Sequence, residues 1–165
     1  MRIRRLVFAV LIAFAGVAVA VPTVVLGATS AGSVTARVLI PKRRLTAGSE
    51  MKATVEVRNT TGQAVSVVGC GSIFQVALTS KKVTPMVGWL ACAQTITIPT
   101  GTSKFPVMVS GKYSSCGEGI PGPACLGPGQ VPPLPPGRYG AHLYQNPTVA
   151  ATPRPIRIVV TSAKT

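Results

Sequence analysis

Residues 51–58 read Met-Lys-Ala-Thr-Val-Glu-Val-Arg, an uninterrupted alternation of apolar and polar side chains. Successive side chains of a β-strand point to opposite faces, so the odd-numbered residues share one face and the even-numbered residues the other. The stretch therefore predicts a half-buried strand. A turn at residues 59–62 follows, and residues 63–68 predict a second strand that folds back on the first as a hairpin. One strand pair is not stable alone in water, so further strands are expected to cover the apolar face.

The chain after residue 32 supplies these strands. They are predicted at residues 33–40, 73–79, 94–98, 103–109, 135–144 and 156–161, with a weaker extended stretch at 83–91. Phe74 is expected to anchor the core. Pro106 lacks an amide donor, so its strand is expected to lie at a sheet edge or to point the Pro106 nitrogen away from a partner strand. No helical periodicity interrupts the series. The sequence therefore predicts an all-β fold, an antiparallel β-sandwich of two layers.

The first 32 residues predict an export segment followed by a small-residue linker. Three arginines precede an apolar run that begins at Leu6, and Ala-Val-Ala at residues 18–20 is typical of a signal-peptide cleavage site. The apolar run continues to Leu26, which is long enough to span a bilayer, so a retained anchor helix stays open beside a cleaved signal peptide. In both cases residues 33–165 are expected outside the cytoplasm, either secreted or anchored on the outer side of the membrane. Membrane contact through the N-terminal segment is expected only if that segment is retained.

Basic side chains outnumber acidic ones 17 to 3, which gives a net charge of +14. Such an excess suits an anionic partner, such as a phospholipid surface or an acidic wall polymer, but it also simply favours solubility. Along the sequence only residues 42–44 and the pair Lys81-Lys82 cluster, so we favour solubility. Neither cluster is interleaved with aromatic residues that could stack on bases, so nucleic-acid binding is not predicted.

Four cysteines, Cys70, Cys92, Cys116 and Cys125, lie in the part of the chain expected to be exported. In an oxidising compartment an even number predicts disulfides, and four cysteines allow three connectivities. We favour Cys70–Cys92 and Cys116–Cys125, because the second pair closes a short loop and the first can join two neighbouring strand ends. The chain has one histidine and no Cys-x-x-Cys spacing, so neither a zinc site nor another cofactor is predicted.

Residues 110–136, called the long loop below, contain no periodic run. Seven of the 15 prolines of the chain fall between residues 121 and 136, together with several glycines. A loop of this length inside a compact domain is expected to be either functional or cross-linked. Cys116 and Cys125 both lie in it.

Candidate catalytic residues are few. The chain has no aspartate, so a Ser-His-acid triad or a pair of carboxylates would have to use Glu50, Glu56 or Glu118 with the single histidine, His142. His142 falls on the polar face of its predicted strand, which is typical of a solvated histidine. The chain is therefore predicted not to be an enzyme. The single tryptophan, Trp89, is interpreted as a core residue beside the Cys92 disulfide.

The order of motifs resembles that of bacterial immunoglobulin-like β-sandwich domains. The motifs are Val-Glu-Val-Arg-Asn-Thr-Thr-Gly-Gln-Ala-Val at 55–65, the strand around Phe74, Pro-Thr-Gly-Thr-Ser-Lys-Phe at 99–105 and Leu-Pro-Pro-Gly-Arg-Tyr at 134–139. They are similar in particular to the domain named for the Bacillus intracellular proteinase inhibitor. The resemblance implies an immunoglobulin-like fold and raises protease inhibition as an activity. The composition also resembles that of exported proteins of high-GC Gram-positive bacteria.

These patterns together predict a non-catalytic exported protein of the cell envelope that acts as an interaction or structural module. Its long loop is expected to contact a protein or an anionic component of the envelope, because rigid scaffolds carry recognition on their loops. The alternative is an exported protease inhibitor that uses an exposed loop in the same segment.

Overall fold

Nine β-strands and no helix form the secondary structure of residues 32–119 and 122–163, the part of the chain that the computed structural model describes. The strands are β1 (Val34–Leu39), β2 (Arg44–Thr46), β3 (Glu50–Asn59), β4 (Val65–Gly69), β5 (Phe74–Thr79), β6 (Gln94–Ile98), β7 (Gly101–Ser110), β8 (Gly137–Gln145) and β9 (Ile156–Thr161). The predicted all-β class is confirmed. The described residues include no helix with the length and hydrophobicity that a membrane span requires. The predicted signal or anchor helix falls on residues 1–31, outside the described ranges.

Strand β3 is the central strand of a three-stranded antiparallel sheet with the order β1, β3, β7. Val55 of β3 lies opposite Val38 of β1 on one side and opposite Phe105 of β7 on the other. Residues paired across strands point to the same face, so these three side chains share the apolar face of the sheet. Along β3 the odd-numbered residues from 53 to 57 are buried, whereas Lys52 and Arg58 are exposed. The predicted half-buried strand is confirmed.

A second sheet has four strands in the order β2, β9, β8, β5. Strand β2 runs parallel to β9, and the other pairs are antiparallel. Its buried side chains alternate along each long strand and are Phe74, Val76 and Leu78 of β5, Tyr139, Ala141 and Leu143 of β8, and Ile158 and Val160 of β9. For β5 and β8 these are the positions that the sequence pattern assigns to one face.

The buried faces of the two sheets meet in one hydrophobic cluster. Phe74, from the four-stranded sheet, is only 1% exposed. Its ring centroid lies 4.9 Å from that of Phe105, from the three-stranded sheet, and the two rings are inclined by 57°. Aromatic pairs favour tilted arrangements at this separation. Phe74 therefore joins the two layers, which confirms its predicted role as a core anchor.

The predicted hairpin between β3 and residues 63–68 is wrong. Strand β4 pairs with β6 in a separate two-stranded ribbon, and both edges of β3 are already occupied by β1 and β7. The side chain of Asn59, at the end of β3, is buried at the point where the chain changes direction. Its Nδ2 donates to the carbonyl oxygens of Gln63 at 2.8 Å and Ile98 at 3.2 Å, and its Oδ1 accepts from the amide of Thr61 at 3.0 Å. These bonds join the turn to the end of β6 and direct the chain into the ribbon.

Pro106 lies on an outer strand, as predicted. Strand β7 pairs with β3 along one side only within the three-stranded sheet, and Pro106 lies opposite Thr54 in that pair. Since proline has no amide hydrogen, it also makes β7 a poor template for pairing with another chain.

The interpretation of Trp89 as a core residue is wrong. Trp89 is half-buried and lies outside the hydrophobic cluster. It belongs to residues 84–91, which form no strand and run beside β5, where the side chain of Gln75 donates to the carbonyl oxygen of Gly88 at 2.7 Å. This hydrogen bond holds the backbone of the segment beside β5. The side chain of Trp89 is not part of the core.

Tyr139 closes one end of the core near the start of β8. The residue is 6% exposed, and its hydroxyl donates a hydrogen bond of 2.8 Å to the carbonyl oxygen of Pro135. Burial raises the pKa of Tyr139 above its ordinary value of 10.0, and the nearby Tyr113 raises it further. The folded state therefore holds the phenolic proton more tightly than the unfolded chain does.

We expect Tyr139→Phe to lower the free energy of unfolding by about 1 kcal/mol at neutral pH, because the ring stays and the bond to Pro135 is lost. A raised pKa adds stability that is fully present below about pH 10 and is lost as the pH rises through the folded-state pKa. Urea denaturation of both proteins at about pH 7 and about pH 11 should show the difference between them shrinking at alkaline pH. A difference that stays constant would contradict this assignment.

Candidate functional site

The base of the long loop is held by Gly111. Its amide donates to the carbonyl oxygen of Ser49 at 2.7 Å, and its own carbonyl accepts from the amides of Gly48 at 2.9 Å and Leu134 at 2.8 Å. A methyl group at Gly111 would lie 2.8 Å from the carbonyl oxygen of Thr46, so this position requires glycine. The side chain of Leu134 is 2% exposed and belongs to the core. Both ends of the loop are thus fixed to the sheets.

The two arms of the loop then pair with each other. Lys112 and Pro133 form an isolated β-bridge, and the amide of Tyr113 donates to the carbonyl oxygen of Pro132 at 3.0 Å. The two arms therefore run side by side at the base of the loop. The loop has a defined stem, although its sequence carries no strand pattern.

A disulfide closes the outer part of the loop between Cys116 and Cys125, whose Cα atoms are 5.0 Å apart. Beside it the amide of Gly117 donates to the carbonyl oxygen of Pro123 at 3.1 Å. The cross-link and the stem together restrict the conformations open to the described residues of the loop.

A small turn follows the disulfide and displays an apolar side chain. The amide of Leu126 donates to the carbonyl oxygen of Gln130 at 3.0 Å. The amide of Gln130 donates to the carbonyl oxygen of Gly127, also at 3.0 Å. Leu126 is nevertheless 69% exposed. Glu118 is exposed on the preceding arm. The fixed backbone therefore presents one apolar and one acidic side chain to solvent.

The long loop also contacts residues 84–91. The amide of Met86 donates to the hydroxyl of Ser114 at 2.6 Å. Met86 and Leu90 of that segment are 49% and 79% exposed.

The other predicted disulfide joins Cys70 to Cys92, with the Cα atoms 5.3 Å apart. Cys70 directly follows Gly69, and Cys92 lies two residues before Gln94. Gly69 and Gln94 are paired at the end of the β4–β6 ribbon. The structure thus has the connectivity that the sequence favours, with the first bridge at paired strand ends and the second within the long loop.

The candidate catalytic residues are dispersed over the molecule. Glu56 accepts from Arg37 across β1 and β3 at 2.7 and 2.8 Å, on the outer face of the three-stranded sheet. Glu50 begins β3, Glu118 lies in the long loop, and His142 lies on β8 in the other sheet. Among the described residues no three side chains of His, Cys, Asp or Glu are grouped closely enough to hold a metal ion. The structure therefore brings no acid together with the histidine.

A groove of about 670 Å³ opens beside Ala53, between β3 and β7 of one sheet and β5 of the other. Its polar lining residues are Lys52, Thr54, Ser72 and Gln75. These residues offer neither a carboxylate nor an imidazole, so the groove lacks the groups that most often perform general acid-base catalysis.

The roles of Gly111 and Leu134 at the base of the long loop are not predicted from the sequence. Only Leu134 leaves a signal in the sequence, as the single residue other than proline within Pro-Pro-Leu-Pro-Pro at residues 132–136. Gly111 is one of 17 glycines, and its close approach to β2 becomes visible only in three dimensions.

Comparison with protein-family models finds no match for this chain, and comparison with curated protein sequences finds none either. Function must therefore be inferred from the fold, the cross-linked long loop and the surface chemistry of the chain itself.

Proposed function

We propose that this chain is an exported, non-catalytic interaction module of the cell envelope, built on an immunoglobulin-like sandwich, and that the long loop contacts its partner. The observation that carries the proposal is the way in which the loop is held. Both ends are fixed at Gly111 and Leu134, the tip is cross-linked at Cys116 and Cys125, and Leu126 still faces solvent. A loop ordered before binding loses less conformational entropy when it binds.

The strand pairing supports an immunoglobulin-like class. In that fold strands A, B and E belong to one sheet and strands C, F and G to the other. Here β1, β3 and β7 correspond in order to A, B and E, and β5, β8 and β9 correspond to C, F and G. The bond from Tyr139 to Pro135 matches the tyrosine corner at the start of strand F. Strand β2 and the β4–β6 ribbon are additions to this scheme.

Export is supported by two independent features. Two disulfides are typical of an oxidising compartment, whereas cytosolic proteins keep their thiols reduced. The basic and then apolar pattern at the start of the sequence is typical of a segment that directs a chain across the membrane. A non-catalytic role is supported by the separation of His142 from the three glutamates.

We expect that the protein can be chemically cross-linked to a partner in envelope extracts. Replacement of residues 114–131 by a short Gly/Ser turn should abolish this capture. The fold should survive, because Gly111, Leu134 and the Lys112–Pro133 bridge at the stem are kept. Capture is measured by cross-linking and mass spectrometry, and the fold by circular dichroism. Unchanged capture by a folded variant would refute the proposed role of the loop.

A matched pair of single substitutions sharpens this test. Leu126→Ser removes the exposed apolar side chain of the long loop, and Val68→Ser removes one that is 61% exposed on β4, which is not part of the loop. Only Leu126→Ser should weaken capture. Equal effects of the two variants would show that general surface hydrophobicity, not the loop, drives the interaction.

Protease inhibition is the second candidate. Leu126 directly follows a disulfide cysteine, and its exposed side chain lies on a backbone held by hydrogen bonds. A segment of this kind could bind a protease as a rigid substrate analogue. Assays of the purified protein against serine, cysteine and metalloproteases test this role. Inhibition that is lost in Leu126→Ser would support it, and a lack of inhibition at micromolar protein would exclude it.

A further inference from the structure

The outer face of the four-stranded sheet collects arginines that are far apart in sequence. Arg44 of β2, Arg138 of β8 and Arg157 of β9 are all exposed. Each is followed by a buried residue on its strand, namely Leu45, Tyr139 and Ile158. Since side chains alternate between the faces of a sheet, the three arginines point away from the core on the same side.

The strand register places these arginines close together. Arg44 and Arg138 both lie opposite Val159 of β9, one on each side, and Arg157 lies opposite Gly140 of β8. With neighbouring strands about 4.8 Å apart, Arg44 and Arg138 are separated by about 10 Å at Cα, and Arg157 lies about 7 Å along β9 from their row. Val159 keeps the two like charges from facing each other directly, which would be destabilising.

Two lysines extend the patch at the end of the sheet. Lys81 and Lys82, in the turn after β5, line a hollow of about 410 Å³ together with Arg138. Both lysines are exposed. We define the basic face as Arg44, Arg138, Arg157, Lys81 and Lys82.

Among the described residues no acidic side chain lies on this face. Glu50 and Glu56 belong to β3 in the other sheet, where Glu56 is paired with Arg37, and Glu118 lies in the long loop. These three are all the acidic side chains of the chain. A surface of one sign without counter-charges raises the local concentration of ions of the opposite sign. In the sequence Arg44 and the two lysines belong to separate short clusters, and strand pairing brings Arg138 and Arg157 close to Arg44.

We infer that the basic face binds a linear phosphate-bearing polymer. The planar guanidinium group of arginine donates two parallel hydrogen bonds to a phosphate, and three such groups on one face of a sheet can contact several phosphates along an extended chain. A bilayer fits less well, because Val159 is the one large apolar side chain exposed on the described outer face of this sheet. Peripheral membrane binding normally adds insertion of apolar side chains to charge attraction.

The experiment measures binding of the full-length protein to fluorescently labelled inorganic polyphosphate at physiological ionic strength. The triple variant R44Q/R138Q/R157Q should raise the dissociation constant at least about tenfold, because each lost phosphate contact weakens binding. The control K52Q/R58Q/K104Q removes three exposed charges from the outer face of the other sheet, so the net charge changes equally. It should raise the dissociation constant less than about threefold.

Three results would overturn the inference. They are equal weakening by both triple variants, absence of polyphosphate binding by the wild type even at low salt, and arginine-dependent binding to phosphatidylglycerol vesicles without binding to polyphosphate. If the first triple variant does not fold, Arg138→Gln alone tests the face and should weaken binding about threefold. Leu126→Ser should leave polyphosphate binding unchanged, which separates the basic face from the proposed role of the long loop.

Discussion

Replacing Phe74 with alanine is expected to lower the free energy of unfolding by about 4 kcal/mol. The side chain is 1% exposed and contacts Phe105 of the opposite sheet, so its removal leaves a cavity between the layers and breaks the aromatic pair. A loss of this size is a large share of the stability of an ordinary domain. Urea denaturation followed by the fluorescence of Trp89 measures it, and the midpoint should fall without a change in the m value.

Leu90→Ala is the matched control for this substitution. Leu90 is 79% exposed, so its truncation should change the free energy of unfolding by less than about 0.5 kcal/mol. A loss below about 2 kcal/mol for Phe74→Ala would mean that the two sheets can collapse around the missing ring. The role of Phe74 as the link between the layers would then be wrong.

Strand positions in this protein follow from sequence because their cause is local. Alternation along residues 51–58 and 74–79 places every second side chain against the core, and the observed burial follows that period. The closing strand at residues 156–161 coincides with β9. In each case one apolar face is buried, so a shift by one residue would expose it.

Strand partners do not follow in the same way. The turn at residues 59–62 has the composition of a hairpin turn, yet β4 pairs with β6. The decisive contact is the bond from Asn59 to the carbonyl oxygen of Ile98, a residue 39 positions away. Competition also matters, since β1 and β7 take both edges of β3. Contacts between residues so distant in sequence leave no local pattern.

The same distinction applies to the candidate sites. The disulfides could be predicted, because cysteines are few and their spacing limits the pairings. The stem of the long loop could not, since it depends on the close approach of Gly111 to Thr46. The basic face could not either, because Arg44 and Arg138 become neighbours only through the pairing of β2 and β8 with β9.

Removing the Cys70–Cys92 disulfide by a Cys70→Ala, Cys92→Ala double substitution is expected to lower the free energy of unfolding by about 3 kcal/mol. The bridge joins residues 22 positions apart, and this segment contains β5 with Phe74, so the unfolded chain gains much freedom when the bridge is absent. The backbone pairs from Val65 to Gly69 remain in the β4–β6 ribbon, and circular dichroism should stay close to that of the wild type. The m value in urea should rise, because the released unfolded chain exposes more surface.

The Cys116→Ala, Cys125→Ala variant provides the comparison that isolates chain entropy. Its bridge spans 9 positions, and the dependence on loop length makes its loss smaller by about 0.8 kcal/mol. A greater loss from the shorter bridge would contradict the entropic account. It would indicate instead that the long loop contributes native contacts, through Leu134 and Gly111, that depend on its cross-link.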